Sequence, residues 1–306
     1  IVLSLAAVAV SLWVVGMPLP FALLMGAIAT ATAPAATVAI VQSLRAKGKF
    51  VDMLYGVVAL DDAGAVIIFG VVFAVVSGII GGGTASGGEL VVGAFLEVGI
   101  SLVVGVVSGY LMHLTLRRLK NVNEVLILSL GILLMTTAIA IVFHLSPLLT
   151  NMAAGAVLVN MSPENHRIFR VLEPFTPPIY ALFFVIAGIE LRPEIITQGP
   201  ILVLGSVYIL ARAAGKWGGV WLGALASGTE PRIRNNLGTC MLPQAGVAIG
   251  LVLLVQASPL VQGLSPENAV IIDTMINIVL LSVFVNELVG PPLAKQAIIR
   301  GNQMEV

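Results

Sequence analysis

Met53-Leu54-Tyr55-Gly56-Val57-Val58-Ala59-Leu60-Asp61-Asp62-Ala63-Gly64-Ala65-Val66-Ile67-Ile68-Phe69-Gly70 opens an apolar run that continues to Ile80. Between residues 53 and 80 the only charges are Asp61 and Asp62. A helix needs about 20 mostly apolar residues to cross a bilayer. This stretch therefore reads as a spanning helix that carries two adjacent acids part-way along its length.

The rest of the chain has the same character. Of 306 residues, 58% are hydrophobic and 10% are charged, against about 25% charged in an ordinary soluble domain. Fifteen basic residues balance fifteen acidic ones, and Cys240 is the single cysteine. These values exclude a soluble enzyme, a nucleic-acid binder with a basic face and a disordered chain. They also exclude a zinc or iron–sulfur centre built on cysteines, and no cofactor is implied. The fold class is an all-α polytopic membrane protein of about ten transmembrane helices. The predicted segments are 1–16, 20–44, 53–80, 89–116, 124–144, 148–161, 175–190, 200–226, 236–256 and 267–293. Turn-forming punctuation separates them, as at Gly16-Met17-Pro18 and Ser162-Pro163. The glycine-rich run Gly81–Gly88 reads as a flexible connection, since no Lys-Ser or Lys-Thr follows it as in a phosphate loop.

Lys and Arg set the orientation. One side holds Arg45, Lys47, Lys49, Arg117, Arg118, Lys120, Arg167, Arg170, Arg232, Arg234, Lys295 and Arg300, and the other holds only Arg192. The rich side is predicted to be the cytoplasm, with the C-terminus on it. About a dozen residues follow the last segment, so no soluble domain is expected there.

Ionisable groups deep in a bilayer are functional candidates by default, because each costs a few kcal/mol to insert. Asp61 and Asp62 lie about 12 Å, and Lys216 about 15 Å, from the cytoplasmic ends of their helices at ~1.5 Å per residue. An acid and a base can meet at that depth, and Arg212 lies one turn deeper than Lys216 on the same face. Glu97 and Asp273 sit nearer the opposite surface, with His113, His144 and Glu287 nearer helix ends. An ion pair is poor glue in such a medium, because desolvation roughly cancels the attraction. The two acids invite the reading of an intramembrane aspartyl hydrolase. That chemistry needs two carboxyls sharing one proton, whereas neighbours on a helix point about 100° apart.

Two further segments are broken at similar depth. Pro34 follows Thr30-Ala31-Thr32-Ala33 and precedes Thr37 in the second; Pro243 precedes Gln244 in the ninth. Each proline removes a backbone donor and clashes with the carbonyl four residues back. Freed backbone is tolerated in a membrane only beside protein or a wet cavity. The two segments run in opposite directions, so the first three and last three helices form candidate inverted repeats, with broken helices as in secondary transporters.

At these residues the chain resembles the monovalent cation/proton antiporter superfamily. Val58-Ala59-Leu60-Asp61-Asp62-Ala63-Gly64 resembles its Asp-Asp motif, and Ala214-Gly215-Lys216-Trp217-Gly218-Gly219 its Gly-Lys helix. Phe183–Leu191 and Asn286-Glu287-Leu288-Val289-Gly290-Pro291-Pro292-Leu293 look like two further family segments. The resemblance implies an elevator-like secondary antiporter exchanging Na+, or as second choice K+, for protons. It implies Asp62 as the ion and proton carboxylate, Asp61 as the acid paired with Lys216, and Thr32, Pro34, Thr37, Pro243 and Gln244 lining the broken-helix site. Arg212 joins Lys216 as a coupling charge. Residues 1–80 would form the first half of the core, 89–190 linking and scaffold helices, and 200–294 the second half. A homodimer in a bacterial inner membrane is implied, with lipid around it, no resident metal and no nucleic acid. Twelve or thirteen helices are usual in the family, so two or three are expected before Ile1. Many relatives carry Arg and Glu after the second proline, where this chain has Gln244, Ala245 and Gly246. A Kef-like potassium efflux protein is the alternative. A plain channel would need a ring of carbonyl-bearing filter segments, which the chain lacks.

Overall fold

The computed structural model describes residues 1–80, 87–190, 199–258 and 266–302. Part of the Gly81–Gly88 connection, Arg192 and the side chain of Pro34 lie outside the described residues. Among the described residues every regular element is helical. In chain order these are α1 (Val2–Val14), α2 (Leu19–Ile28), α3 (Pro34–Ser43), α4 (Lys49–Ile80), α5 (Gly87–Leu116), α6 (Val122–Val142) and α7 (Pro147–Met161). Then come α8 (His166–Leu172), α9 (Thr176–Glu190), α10 (Gly199–Ala226), α11 (Pro231–Leu237), α12 (Gly246–Ala257) and α13 (Pro266–Asn302). A short 3-10 turn, Gly238–Met241, follows α11 directly.

Among the described residues five helices are long and apolar enough to span a bilayer: Lys49–Ile80, Val92–Leu116, Val122–Val142, Gly199–Ala226 and Asn268–Asn302. Pro231–Met241 and Gly246–Ala257, bent by 43° at their break, make a sixth if taken as one span. The remaining predicted segments are shorter helices, among them Val2–Val14, Leu19–Ile28 and Pro147–Met161. The outward faces are apolar. Leu60 is 75% exposed while its neighbour Asp61 is 7% exposed, the reverse of a water-soluble helix. The chain is an integral, multi-pass membrane protein.

The breaks are deeper than simple kinks. α2 stops at Ile28, residues 29–33 leave the helix, and Pro34 is the first residue of α3. A proline fits there because the first helical N–H has no intrahelical acceptor anyway. In the ninth segment residues 242–245 are unwound and a new helix starts at Gly246. The last helix runs past its predicted end at 293 to Asn302, through Pro291 and Pro292.

Two compact units are present: unit 1 holds residues 1–83 and 184–306, unit 2 holds 84–183. In unit 1, α1 packs between α2 and α10, and α13 touches α2, α3, α4, α10, α11 and α12. Gly215 permits the α1–α10 approach, since a Cβ there would sit 2.6 Å from Ser4 Cα. Phe50, Leu54, Val58, Ile233, Leu237 and Ile298 form an apolar cluster where α4, α11 and α13 meet. In unit 2, α5 packs on α6 and α7. A Cβ at Gly109 would lie 2.6 Å from the carbonyl oxygen of Ala154, so only glycine allows that crossing, as in close-packed membrane helices. Neutral hydrogen bonds tie the bundle. The hydroxyls of Ser108 and Thr136 are 2.5 Å apart, and Asn151 Nδ2 donates to Thr137 Oγ1 at 2.8 Å.

Candidate functional site

The two breaks of unit 1 meet. The backbone N–H of Ala33 donates to the carbonyl of Pro243 at 3.0 Å. Thr37, one turn into α3, donates from Oγ1 to the carbonyl of Cys240 at 3.0 Å. Backbone groups that each helix lost at its break are thus partly satisfied by the other break, as the absence of water in a bilayer requires.

Side chains from α4 and α10 complete the crossing. Lys216 Nζ lies 2.8 Å from Asp61 Oδ1 and 2.7 Å from Oδ2, with both side chains buried. Thr32 Oγ1, in the first break, donates to Asp61 Oδ2 at 2.6 Å. Asp61 therefore has three polar contacts from two other elements. Asp62 is half-buried, and its Oδ1 is a buried atom without a hydrogen-bond partner. The difference follows from helix geometry: neighbours diverge by about 100°, so when Asp61 faces α10 its neighbour cannot.

Arg212, expected beside Lys216 as a coupling charge, lies within electrostatic reach of that lysine but forms no ion pair among the described residues. Its guanidinium donates instead to the carbonyls of Leu242 at 2.7 Å, Ala31 at 2.8 Å and Pro243 at 3.4 Å. Those oxygens lie at or just beyond helix ends, where carbonyls lack intrahelical donors and carry partial negative charge. Arg212 thus holds the first break against the second through backbone.

Gln244 is fully buried. Its Nε2 donates to the Tyr208 hydroxyl at 3.3 Å, and its Oε1 accepts from Ser282 at 2.9 Å and Asn286 at 3.2 Å. Asn286 also donates to Ser282 Oγ at 2.9 Å. The second break is therefore fixed from α10 and α13. At the start of α4, Lys49 Nζ lies 2.7 Å from Glu230 Oε1, with both side chains exposed. That hydrogen bond and the lysine charge hold the Glu230 carboxyl below its ordinary range.

Residues 1–296 match the family described as "Sodium/hydrogen exchanger, transmembrane". The chain belongs to this family of sodium/hydrogen exchangers. The Na(+)/H(+) antiporter NhaP of Pseudomonas aeruginosa is 27% identical over 179 residues, covering 56% of this chain and 41% of that protein. The chain thus spans less than half the length of that relative. The fold is similar to the sodium proton antiporter MjNhaP1 from Methanocaldococcus jannaschii at pH 8, with a TM-score of 0.68 over 97% of this chain and 76% of that one, at 17% identity. The exchanger family and these relatives are transporters, not enzymes.

In this chain, Asp61, Lys216, Thr32, Arg212 and Pro243 come together at one crossing. Gln244 bonds to side chains of α10 and α13, and Thr37 to the 3-10 turn. Sequence reasoning missed Tyr208, Ser282, Asn286 and the carbonyls that Arg212 binds. A signal was available for the side chains. Tyr208, Arg212 and Lys216 recur every four residues on one helix, and Ser282 and Asn286 are four apart on another, the spacing that puts polar groups on one helical face.

Proposed function

We propose that this chain is the translocating core of a secondary antiporter that exchanges Na+, in preference to K+, for protons by alternating access at Asp62. One observation carries the reading. Asp62 Oδ1 is buried without a hydrogen-bond partner beside an acid that is already committed to Lys216. A bare carboxylate oxygen in a bilayer is costly, and a proton or a small cation relieves that cost equally well in sign. Competition between the two for one carboxylate is the essence of exchange. Asp61 then acts as the switchable partner of Lys216: a proton on Asp61 frees the lysine, and loss of the proton restores the pair. Two titrating acids against one monovalent cation make the exchange electrogenic. Arg212 and Thr32 keep the broken backbones registered around the site, and unit 2 serves as scaffold. Twelve of fifteen Lys and Arg fall on one side of the predicted segments, which supports an orientation with the end of α13 on the cytoplasmic face. A bacterial inner membrane and a homodimer are part of the same reading.

The test uses the full-length protein in proteoliposomes, driven in turn by Na+, Li+ and K+ gradients, with internal pH as the readout. Na+ should drive proton movement most strongly, and an imposed membrane potential should change the rate. Potassium flux without proton movement would establish the channel alternative, and exchange indifferent to the potential would remove the two-acid mechanism.

A further inference from the structure

The charge of Arg212 has no ion-pair partner in the site described above. Its side chain is fully buried, its bonds go to neutral carbonyls, and its Nε–H is a buried donor without a partner. Carbonyl dipoles offset only part of a formal charge in such surroundings. Asp61 lies within electrostatic reach of Arg212, but both of its oxygens are bonded to Lys216, whose charge it balances first.

A second orphan of opposite character lies nearby. Glu287 Oε1, on α13, is buried without a hydrogen-bond partner, and Arg212 and Glu287 interact electrostatically. Sequence neighbours fix the direction of Glu287. Asn286 bonds Gln244, and a Cβ on Gly290 would lie 3.0 Å from Pro243 Cα. Residues three apart share a helical face, so Glu287 stands on the face of α13 turned toward Pro243, whose carbonyl Arg212 holds. The backbone there is also loosened, because Pro291 and Pro292 lack the N–H groups that would bond the carbonyls of Glu287 and Leu288. Of the other elements packed on α13, α2, α3 and α12 carry no charged residue. On α4, Asp61 is bonded to Lys216 and Lys49 to Glu230, and Asp52 and Asp62 are its other charges. Arg232 is bonded to the Arg300 carbonyl, Arg234 lies over the Trp221 ring, and Cys240 Sγ points to the carbonyls of Asn236 and Ala294. On α10, Tyr208 faces Gln244 and Lys216 faces Asp61.

We infer that Glu287 is the counter-charge of Arg212 and a positioning residue for the crossing of the two breaks. Its carboxylate balances the guanidinium while that group grips both breaks. It also offers Nε–H an acceptor when the breaks shift between access states. The inference rests on the transport reading above, but Glu287 acts on the crossing and not on the cation. Neutralising it should slow the conformational step and leave cation affinity alone.

A double-mutant cycle on the full-length protein tests the pair: Glu287→Gln, Arg212→Gln, the two together, and Glu287→Asp as the conservative control. Maximal exchange rate, apparent Na+ affinity and thermal midpoint are measured for each. Each single neutral variant should lose roughly tenfold in maximal rate, within the coupling range of contacting charged groups. Apparent affinity should stay within about twofold of wild type, the double variant should be no slower than the poorer single, and Glu287→Asp should recover most of the rate. Should Glu287→Gln fail to fold, pairing requires the double variant to fold better than the single. Wild-type rates in Glu287→Gln, strictly additive losses in the double variant, or a loss of affinity at unchanged rate would each overturn the assignment. If the wild type itself shows no exchange, the transport reading falls, while non-additive thermal midpoints still establish the Arg212–Glu287 pair.

Discussion

Among the described residues of unit 2, the buried polar side chains are neutral: Ser101, Ser129, Thr136, Thr150 and Asn165. Unit 1 buries Asp61, Arg212 and Lys216 as well as neutral groups. Both units need polar contacts to join helices where lipid offers no hydrophobic drive between them. Unit 2 meets that need with hydroxyls, an amide and close glycine contacts. Neutral bonds of this kind contribute about 0.6 kcal/mol on average, which is sufficient for packing. The ions of unit 1 cost far more to desolvate, and they sit on unbroken helices beside the two unwound breaks. The comparison separates polar groups that hold helices together from charges that need a further reason to be there.

The strongest challenge to that distinction is Asp62→Asn. It keeps the shape of the side chain and removes the charge that a desolvated cation needs. At ~3 kcal/mol for an intramembrane charge, exchange should fall about 100-fold or more at every pH. Asp61→Asn should retain measurable exchange, since Asp62 survives. Proton fluxes from proteoliposomes decide it, and a dead Asp61→Asn beside an active Asp62→Asn would mean the two roles are reversed.

Next in size is Lys216→Ala. Removing one partner of a buried pair leaves the other uncompensated, at a cost of about 3–5 kcal/mol. The thermal midpoint of the purified protein should drop sharply, and more than for any neutral polar substitution in unit 2. A midpoint near that of wild type would show that Asp61 has another partner.

The smallest effect should come from unit 2. Thr136→Val keeps volume and deletes the hydroxyl that meets Ser108. The expected loss is about 0.6 kcal/mol and at most about 1.7 kcal/mol, with exchange rate and cation affinity as in wild type. If Thr136→Val changed cation affinity, neutral polar groups in unit 2 would be part of the ion chemistry and the comparison would collapse.

Much of unit 1 was legible beforehand because depth along a helix can be counted. At ~1.5 Å per residue, Asp61 and Lys216 fall at matching levels, and they are bonded in the structure. Pro34 and Pro243 mark their breaks because a proline cannot supply the missing N–H. The extent of unwinding was less legible. Residues 29–33 and 242–245 leave the helix together because each break supplies partners to the other, as in the bond from Ala33 to Pro243. Residues far apart in the chain contribute those partners, so neither segment read alone could reveal them. The acceptors of Arg212 were hidden for the same reason, since they are backbone atoms that exist as free acceptors only once both helices have broken.

Composition and order thus determined the membrane class, the apolar segments, the sites of both breaks and the short set of buried charges. Tertiary structure alone decided which way each helix is turned. Rotation about a helix axis depends on what packs against it, here α1 on Gly215 and α13 on Pro243, and not on position along the chain. That rotation directs Asp61 to Lys216 and Thr32, leaves Asp62 Oδ1 without a partner, and puts Arg212 on three carbonyls. Two adjacent aspartates identical in composition and depth become different groups because neighbours on a helix point about 100° apart, and only one direction meets a lysine.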